Sequence, residues 1–316
     1  MRTMHSEYME FAKFHTHSKY NLAVSGITAY PLTDLPFDKN DLLAPGQSYW
    51  GHKPLLEEIS KRYGVDPKNI VHSFGTSMAN YLAMIAILEP GDEVLLEHPV
   101  YELILSALEF VGATVKRFHR QPENGYAIDT AEIKKLISPR TKLILVTNLH
   151  NPSGVYLSED ALREIGEIAK SVKAYVLVDE VYLDAAFSLK PRTSFLLGDQ
   201  FIVTSSLTKV YGLSALRCGW IFANEKLAHA IWRMVDLMYV VPSHPMERLS
   251  VTAFKNLDAA YNRSKSILET NRKLLNQFLD SCTALEVKKP EFGTTIFPKL
   301  NGKSVEKLHQ LLRDKY

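Results

Sequence analysis

Seven short β-rich runs punctuate the chain: IVHSF (70–74), EVLLEHP (93–99), TVKRF (114–118), LILVTN (143–148), YVLVDE (175–180), FIVTSS (201–206) and CGWIFA (218–223). Several are apolar on both faces, the pattern of buried, mostly parallel strands. Helical patterns lie between them. In 158–171, Ser158 is an N-cap, Glu159 and Asp160 are first-turn acids, and Leu162, Ile165, Ile168 and Ala169 recur at helical spacing. ELILSALEFVGATV, from Glu102, reads as an amphipathic helix; Glu109 and Gly112 interrupt it well short of the ~20 apolar residues a membrane span needs. Alternation of strand and helix over about 70 to 223 predicts a three-layer α/β/α sandwich around a mostly parallel sheet. From Ser264 the tail reads as a helix (ILETNRKLLNQFLD) followed by a strand, GTTIFPKL, of a smaller domain.

Composition narrows the function classes. The 316 residues are 46% hydrophobic, ample for a buried core. Lys and Arg number 37 against 35 Asp and Glu, with no long single-sign block, so neither a nucleic acid nor a membrane surface is implied as partner. The N-terminal stretch has acids and histidines where a signal peptide needs an apolar core. Cys218 and Cys282 have neither the density of a disulfide framework nor the spacing of a zinc site, which suits a reducing compartment and a cytoplasmic location.

In sheets of this kind ligands collect at the carboxyl ends of the strands. Those ends carry GTS (75–77), HPVY (98–101), NLHNPSG (148–154), DEVY (179–182) and SSLTK (205–209). Each is ordinary by itself. GTS makes a turn and a helix cap, Asn-Pro-x-Gly is turn chemistry, Asp179 is a strand-end acid, Lys209 a loop lysine, Arg217 half of a surface salt bridge and Tyr101 a core tyrosine. Their convergence on one edge is the informative feature.

SSLTKVYGLSALRCGW (205–220), HNPSG (150–154) and DEVY (179–182), in their order and at their separations, resemble the signatures of fold type I pyridoxal 5′-phosphate enzymes, specifically the class I/II aminotransferases. The resemblance runs from about residue 20 to about residue 300. It implies that Lys209 forms an imine with the cofactor aldehyde and shuttles the proton at the substrate α-carbon. Asp179 would pair with the pyridine nitrogen and keep it protonated, while Asn151 and Tyr182 donate to the ring phenolic oxygen. Gly75, Thr76 and Ser77 would start a helix at the cofactor phosphate, with Ser206 and Arg217 closing the other side. Tyr101 matches the aromatic that stacks on the ring. Gly26, in YNLAVSGI, matches a position near the substrate carboxylate. Tyr49 lies near the place of a tyrosine that reaches the partner subunit's phosphate, and Ser243 near a dimer seam.

The family pattern divides the chain into an N-terminal segment serving the small domain and the substrate side (1–40), a large cofactor-binding domain (41–240), and an interdomain helix with part of the small domain (241–316). It further implies amino acid and 2-oxo acid substrates and a homodimer with shared sites. Family members continue past the strand that GTTIFPKL resembles, into a segment whose arginine grips the substrate carboxylate. Here the sequence ends at Tyr316, and Arg313 does not stand in that arginine's context. A smaller α/β domain incomplete at its C-terminus is therefore expected.

Transamination is the leading reading. β-Elimination at a C–S bond, decarboxylation and ring-forming elimination use the same scaffold and lysine. A non-catalytic module for ligand sensing or assembly would keep the fold but gain no visible absorbance with the cofactor. A nicotinamide dehydrogenase is disfavoured because no G-x-G-x-x-G follows the first strand.

Overall fold

A computed structural model describes residues 4–15, 19–42, 46 and 48–315; Gln47 of QSYWG, parts of the N-terminal stretch and Tyr316 lie outside the described residues. Seven strands form the main sheet: β1 (Ile70–Phe74), β2 (Glu93–His98), β3 (Thr114–His119), β4 (Thr141–Thr147), β5 (Tyr175–Asp179), β6 (Phe201–Ser206) and β7 (Cys218–Phe222). Each matches a run predicted from the apolar pattern, within a residue or two at its ends. The helices are α1 (Glu7–Phe14), α2 (Lys53–Tyr63), α3 (Gly75–Ile87), α4 (Glu102–Val111), α5 (Thr130–Leu136), α6 (Glu159–Ser171), α7 (Glu225–Met238), α8 (His244–Lys255), α9 (Leu257–Ser281) and α10 (Val305–Lys315).

Strand order is β1-β7-β6-β5-β4-β2-β3. β3, β2, β4, β5 and β6 run parallel, and β7 runs antiparallel to both β6 and β1. β1 therefore points the same way as β6, and the C-terminal ends of every strand except β7 share one edge.

Alternation along the strands splits the core in two. On one face Ile144, Val146, Val176, Val178, Phe201 and Val203 meet Leu162, Ile165 and Ile168 of α6. On the other, Leu143, Leu145, Leu177 and Ile202 meet Leu82 of α3, Ile104 and Leu108 of α4, and Ile231 of α7. Truncating a fully buried leucine of either layer to alanine costs about 2–5 kcal/mol. Ser158 caps α6 as predicted, accepting from the Ala161 amide at 3.3 Å, and α4 ends at Gly112.

The tail departs from expectation in one respect. The helix is found, starting earlier than Ser264, at Leu257, and α10 follows, but GTTIFPKL is mostly loop. Only Lys299–Leu300 (β9) is strand, paired with Leu285–Glu286 (β8). Gly293 is left-handed at φ 81°, the Thr294 hydroxyl donates to the Ser25 carbonyl at 2.6 Å, and Arg272 holds the Gly293 carbonyl at 3.1 Å. These polar groups are turned toward neighbouring segments rather than into a strand ladder. Among the described residues, no helix is long and apolar enough to cross a membrane.

Candidate active site

The shared strand edge opens into a cavity of about 190 Å³ lined by Thr76, Ser77, Asn80, Tyr101, Thr147, Asn151, Asp179, Val181, Tyr182, Ser206, Thr208, Lys209 and Arg217. Sheet register explains the convergence. Thr147 lies opposite Asp179, Asp179 opposite Thr204, and Ser206 opposite Gly219, just past Arg217.

One end of the cavity is built for an anion. α3 begins at Gly75, so its first-turn amides and the positive end of its dipole face the opening. The Thr76 hydroxyl donates to Ser206 Oγ at 2.9 Å, and the Thr208 amide donates to the same oxygen at 3.3 Å. Arg217 adopts φ 48°, unusual for a residue with a side chain, and its guanidinium donates to the Phe74 carbonyl at 3.0 Å. Two glycines make room for it. At Gly75, φ is 78° and a Cβ would stand 2.5 Å from the Arg217 guanidinium; at Gly219, a Cβ would stand 2.6 Å from Gly75 backbone.

At the centre Asp179 is 5% exposed. Its carboxylate accepts from Asn80 Nδ2 at 2.8 Å and from the Val181 amide at 3.1 Å. Thr204 donates in turn to Asn80 Oδ1 at 2.5 Å, which fixes the amide's orientation. Burial pushes the Asp179 carboxyl up to about 6, against the lowering pull of those donors and of Lys209. Lys209 is half-buried, and its amine is held below the usual range by burial and by Arg217, opposed by Asp179. Its Nζ donates to Ser25 Oγ at 3.0 Å, and the Tyr182 hydroxyl donates to the same oxygen at 2.8 Å. Burial raises the Tyr182 and Tyr101 phenols, keeping both protonated.

Supporting contacts fix the loops. Glu97 accepts from the Thr147 amide and hydroxyl, both at 2.6 Å, and from Arg120 at 2.9 Å. The Thr147 hydroxyl oxygen accepts from the Asn151 amide at 3.1 Å. Burial depresses His150 to about 4, so it is neutral; Nε2 donates to the Pro99 carbonyl at 2.9 Å, leaving Nδ1 to accept from Ser153 at 2.6 Å. The loops carrying Asn151 and Tyr101 are thereby joined. Asp184 accepts from Tyr63 at 2.8 Å and Tyr211 at 2.6 Å, joining α2 and the two loops that carry Tyr182 and Lys209. Above Tyr101, Tyr8 of α1 packs edge-on at 5.4 Å, while Glu102 accepts from the Ser6 hydroxyl and the Glu7 and Tyr8 amides.

Of the residues singled out from sequence, Thr76, Ser77, Tyr101, Asn151, Asp179, Tyr182, Ser206, Lys209 and Arg217 line one cavity, and Gly75 lies against the Arg217 guanidinium. Gly26 packs on the Lys209 stem, where a Cβ would lie 3.5 Å from Lys209 Cδ. Tyr49 is elsewhere: it is 72% exposed, in a depression with Trp50, Asp236, Val240 and Val241. Asn80, Thr147, Thr208 and Ser25 were not foreseen. Asn80 stands one helical turn after Thr76, so i,i+4 spacing placed it on the same face; Ser25 had no signal beyond adjacency to Gly26.

Comparison with known proteins agrees with this geometry. The sequence model described as aminotransferase class I and II matches residues 37–316. Capreomycidine synthase from Streptomyces vinaceus is 29% identical over 80% of this chain and 66% of its own length. Arginine–pyruvate transaminase from Pseudomonas aeruginosa is 25% identical over 87% of this chain and 74% of its own. The chain thus spans about two thirds of the length of the curated relatives it matches. A PLP-dependent aminotransferase structure from Streptococcus suis superposes with a TM-score of 0.86 at 26% identity, over 92% of this chain and 81% of that one.

Proposed function

Because the chain belongs to the class I and II aminotransferase family of pyridoxal 5′-phosphate enzymes, we propose that it moves an amino group between an amino acid and a 2-oxo acid. The observation that carries this reading is the single cavity in which Lys209, Asp179, Asn151, Tyr182 and Tyr101 meet a separate anion cradle. The cavity fits the cofactor's chemistry. A phosphate dianion suits the α3 N-terminus, Thr76, Ser77, Ser206 and the planar guanidinium of Arg217. A protonated ring nitrogen suits Asp179, a buried acid held near 6 in the protein alone.

When bound, pyridoxal phosphate supplies a carbonyl carbon for amines and a ring that withdraws electrons from the substrate α-carbon. The chain's own groups do the rest. Lys209 would anchor the cofactor covalently and, when released, carry the proton at the α-carbon; its depressed affinity for protons favours the neutral amine such a group needs. Asn151 and Tyr182 would hold the ring oxygen as donors, and Tyr101 would cover the ring face. Gly26 would leave room for the substrate carboxylate.

The division into an N-terminal segment to 40, a cofactor domain to 240 and a remainder to 316 belongs to the same proposal. So does a cytoplasmic homodimer. The homodimer is supported by the exposed apolar group formed by Tyr49, Trp50, Val240 and Val241, the last two close in sequence to Ser243; light scattering showing a fully active monomer would remove it.

Borohydride reduction of the cofactor-loaded chain, followed by peptide mass mapping, should mark Lys209. Given an amino acid and no oxo acid, an aminotransferase makes about one equivalent of 2-oxo acid per site and stops, a single half-reaction. A second reading, ring-forming or eliminating chemistry, is favoured by the similarity to capreomycidine synthase. It predicts continued turnover without an acceptor.

A further inference from the structure

Ser25 lies in the segment between α1 and α2, far in sequence from either residue it touches, yet its hydroxyl oxygen accepts from both Lys209 Nζ at 3.0 Å and Tyr182 Oη at 2.8 Å. Those two side chains come from the ends of different strands, β6 and β5. A hydroxyl oxygen has two acceptor sites, and both are taken. The backbone around Ser25 is fixed on the two sides that matter. The Ser25 carbonyl accepts from Thr294 at 2.6 Å, the Ile27 amide donates to the Lys209 carbonyl at 2.9 Å, and the Tyr30 amide donates to the Gly212 carbonyl at 2.9 Å. Arg263 clamps the same segment through the Thr28 carbonyl at 3.0 Å. With Gly26 against the Lys209 stem, residues 25 and 26 enclose the lysine from stem to tip.

We propose that Ser25 is the positioning residue of Lys209: its oxygen receives the amine whenever the amine is free, and it ties the protonation of that amine to the Tyr182 hydroxyl. The inference rests on Lys209 being the reactive amine. A lysine that alternates between a covalent bond and proton transfer needs a defined resting place, because an unrestrained amine on four carbons samples many rotamers. Ser25 meets that need without quenching the amine. One N–H points to the serine oxygen in either protonation state, and in the neutral amine the lone pair stays available.

Other titratable groups act on the same pair. Asp179 from β5 and Arg217 ahead of β7 act on Lys209, while Asp179, Tyr8 of α1 and Tyr101 ahead of α4 act on Tyr182. Among the described residues, Ser25 is the uncharged group bonded to both. Its oxygen favours the ammonium form of Lys209, whereas the Tyr182 hydroxyl, by donating to that oxygen, competes for it and weakens it as an acceptor.

The test is competitive acylation of Lys209 in the cofactor-free full chain, read from the Lys209 peptide by mass spectrometry as a function of pH. Ser25→Ala should lower the midpoint of Lys209 reactivity by up to about one pH unit, a tenfold change in proton affinity. Ser25→Thr, which restores the hydroxyl, should return it to the parent value. Tyr182→Phe should move the midpoint the opposite way, since Ser25 then serves the lysine alone. A purely structural serine would not give opposite signs. Parent-like midpoints in both Ser25→Ala and Tyr182→Phe overturn the proposal, and if Ser25→Ala does not fold, Tyr182→Phe with an unchanged or lowered midpoint overturns it alone. Failure of borohydride to mark Lys209 in the loaded parent strikes the functional reading instead, and the acylation result stands separately from it.

Discussion

Asp179 is the group whose replacement separates what folding prefers from what function requires. Its carboxyl has an ordinary value of 3.8 and is pushed up to about 6 in the folded chain, chiefly by burial. A raised folded-state value means that the native state binds the proton more tightly than the unfolded state. Stability from this group is therefore fully present below the unfolded value and is lost as pH rises through the folded one. The shift corresponds to a penalty of about 3 kcal/mol at pH 8 and roughly half that at pH 5, where the folded group is still mostly protonated. Asp179→Asn removes the ionisable proton while keeping the shape. The neighbouring amide can invert to suit it, because the Thr204 hydroxyl, which now donates to Asn80 Oδ1, can accept instead. Urea unfolding of the cofactor-free chain at several pH values is the assay. The variant should gain stability over the parent by about 3 kcal/mol at pH 8 and by roughly half that at pH 5. Its turnover with cofactor should fall by on the order of a thousandfold, since in the proposed role Asp179 would be the anionic partner of the ring nitrogen. A stability difference that is flat with pH, or a variant less stable than the parent at pH 8, would refute the account of Asp179 as an acid held at a cost.

Three further changes probe the frame around it. Arg217→Lys keeps the charge but loses the planar fork, and cofactor affinity measured by absorbance titration should weaken about tenfold. Gly75→Ala forces a side chain onto a φ of 78° and to 2.5 Å from the Arg217 guanidinium; it should destabilise by more than about 1 kcal/mol in thermal unfolding and weaken cofactor binding in the same titration. Glu97→Gln leaves Arg120, whose side chain is 0% exposed, without its anion, and should cost about 3–5 kcal/mol in urea unfolding.

The sheet was legible because its strands are short, several of them apolar on both sides, and most are separated by helices with readable caps, so pattern and tertiary position agree. The cavity was legible for the same reason: the residues at parallel strand ends must share an edge once the strands are parallel. Residues that act through a neighbour were not. Glu97 looks like a charge inside an apolar run until Arg120 and Thr147 are seen around it. Asp184 reads as a loop acid until Tyr63 and Tyr211 converge on it. GTTIFPKL has β-branched and aromatic residues in strand-like density, but local propensity yields to tertiary bonds, with Thr294 joined to Ser25 and Gly293 to Arg272. Ser25 shows the limit most clearly, since nothing in YNLAVSGI distinguishes a hydroxyl aimed at Lys209 from one aimed at water.

Three groups that are unfavourable on their own terms meet in that cavity. Asp179 is an acid buried with hydrogen bonds but no cation bonded to it, Arg217 sits in left-handed backbone, and Lys209 is an amine held below its normal range. Each is unfavourable on its own terms, by about 1–3 kcal/mol for a residue in such backbone. A single ligand with a cationic ring nitrogen, a dianionic phosphate and a carbon open to amines would relieve all three together. Strain that clusters at one site, and that one chemical species would relieve, is expected of a binding site rather than of a core. The same reasoning orders the effects of ligand. Cofactor binding stabilises the folded chain in proportion to the logarithm of its concentration over Kd, so the stability deficit of the parent against Asp179→Asn should shrink as cofactor is added, because the variant binds it more weakly.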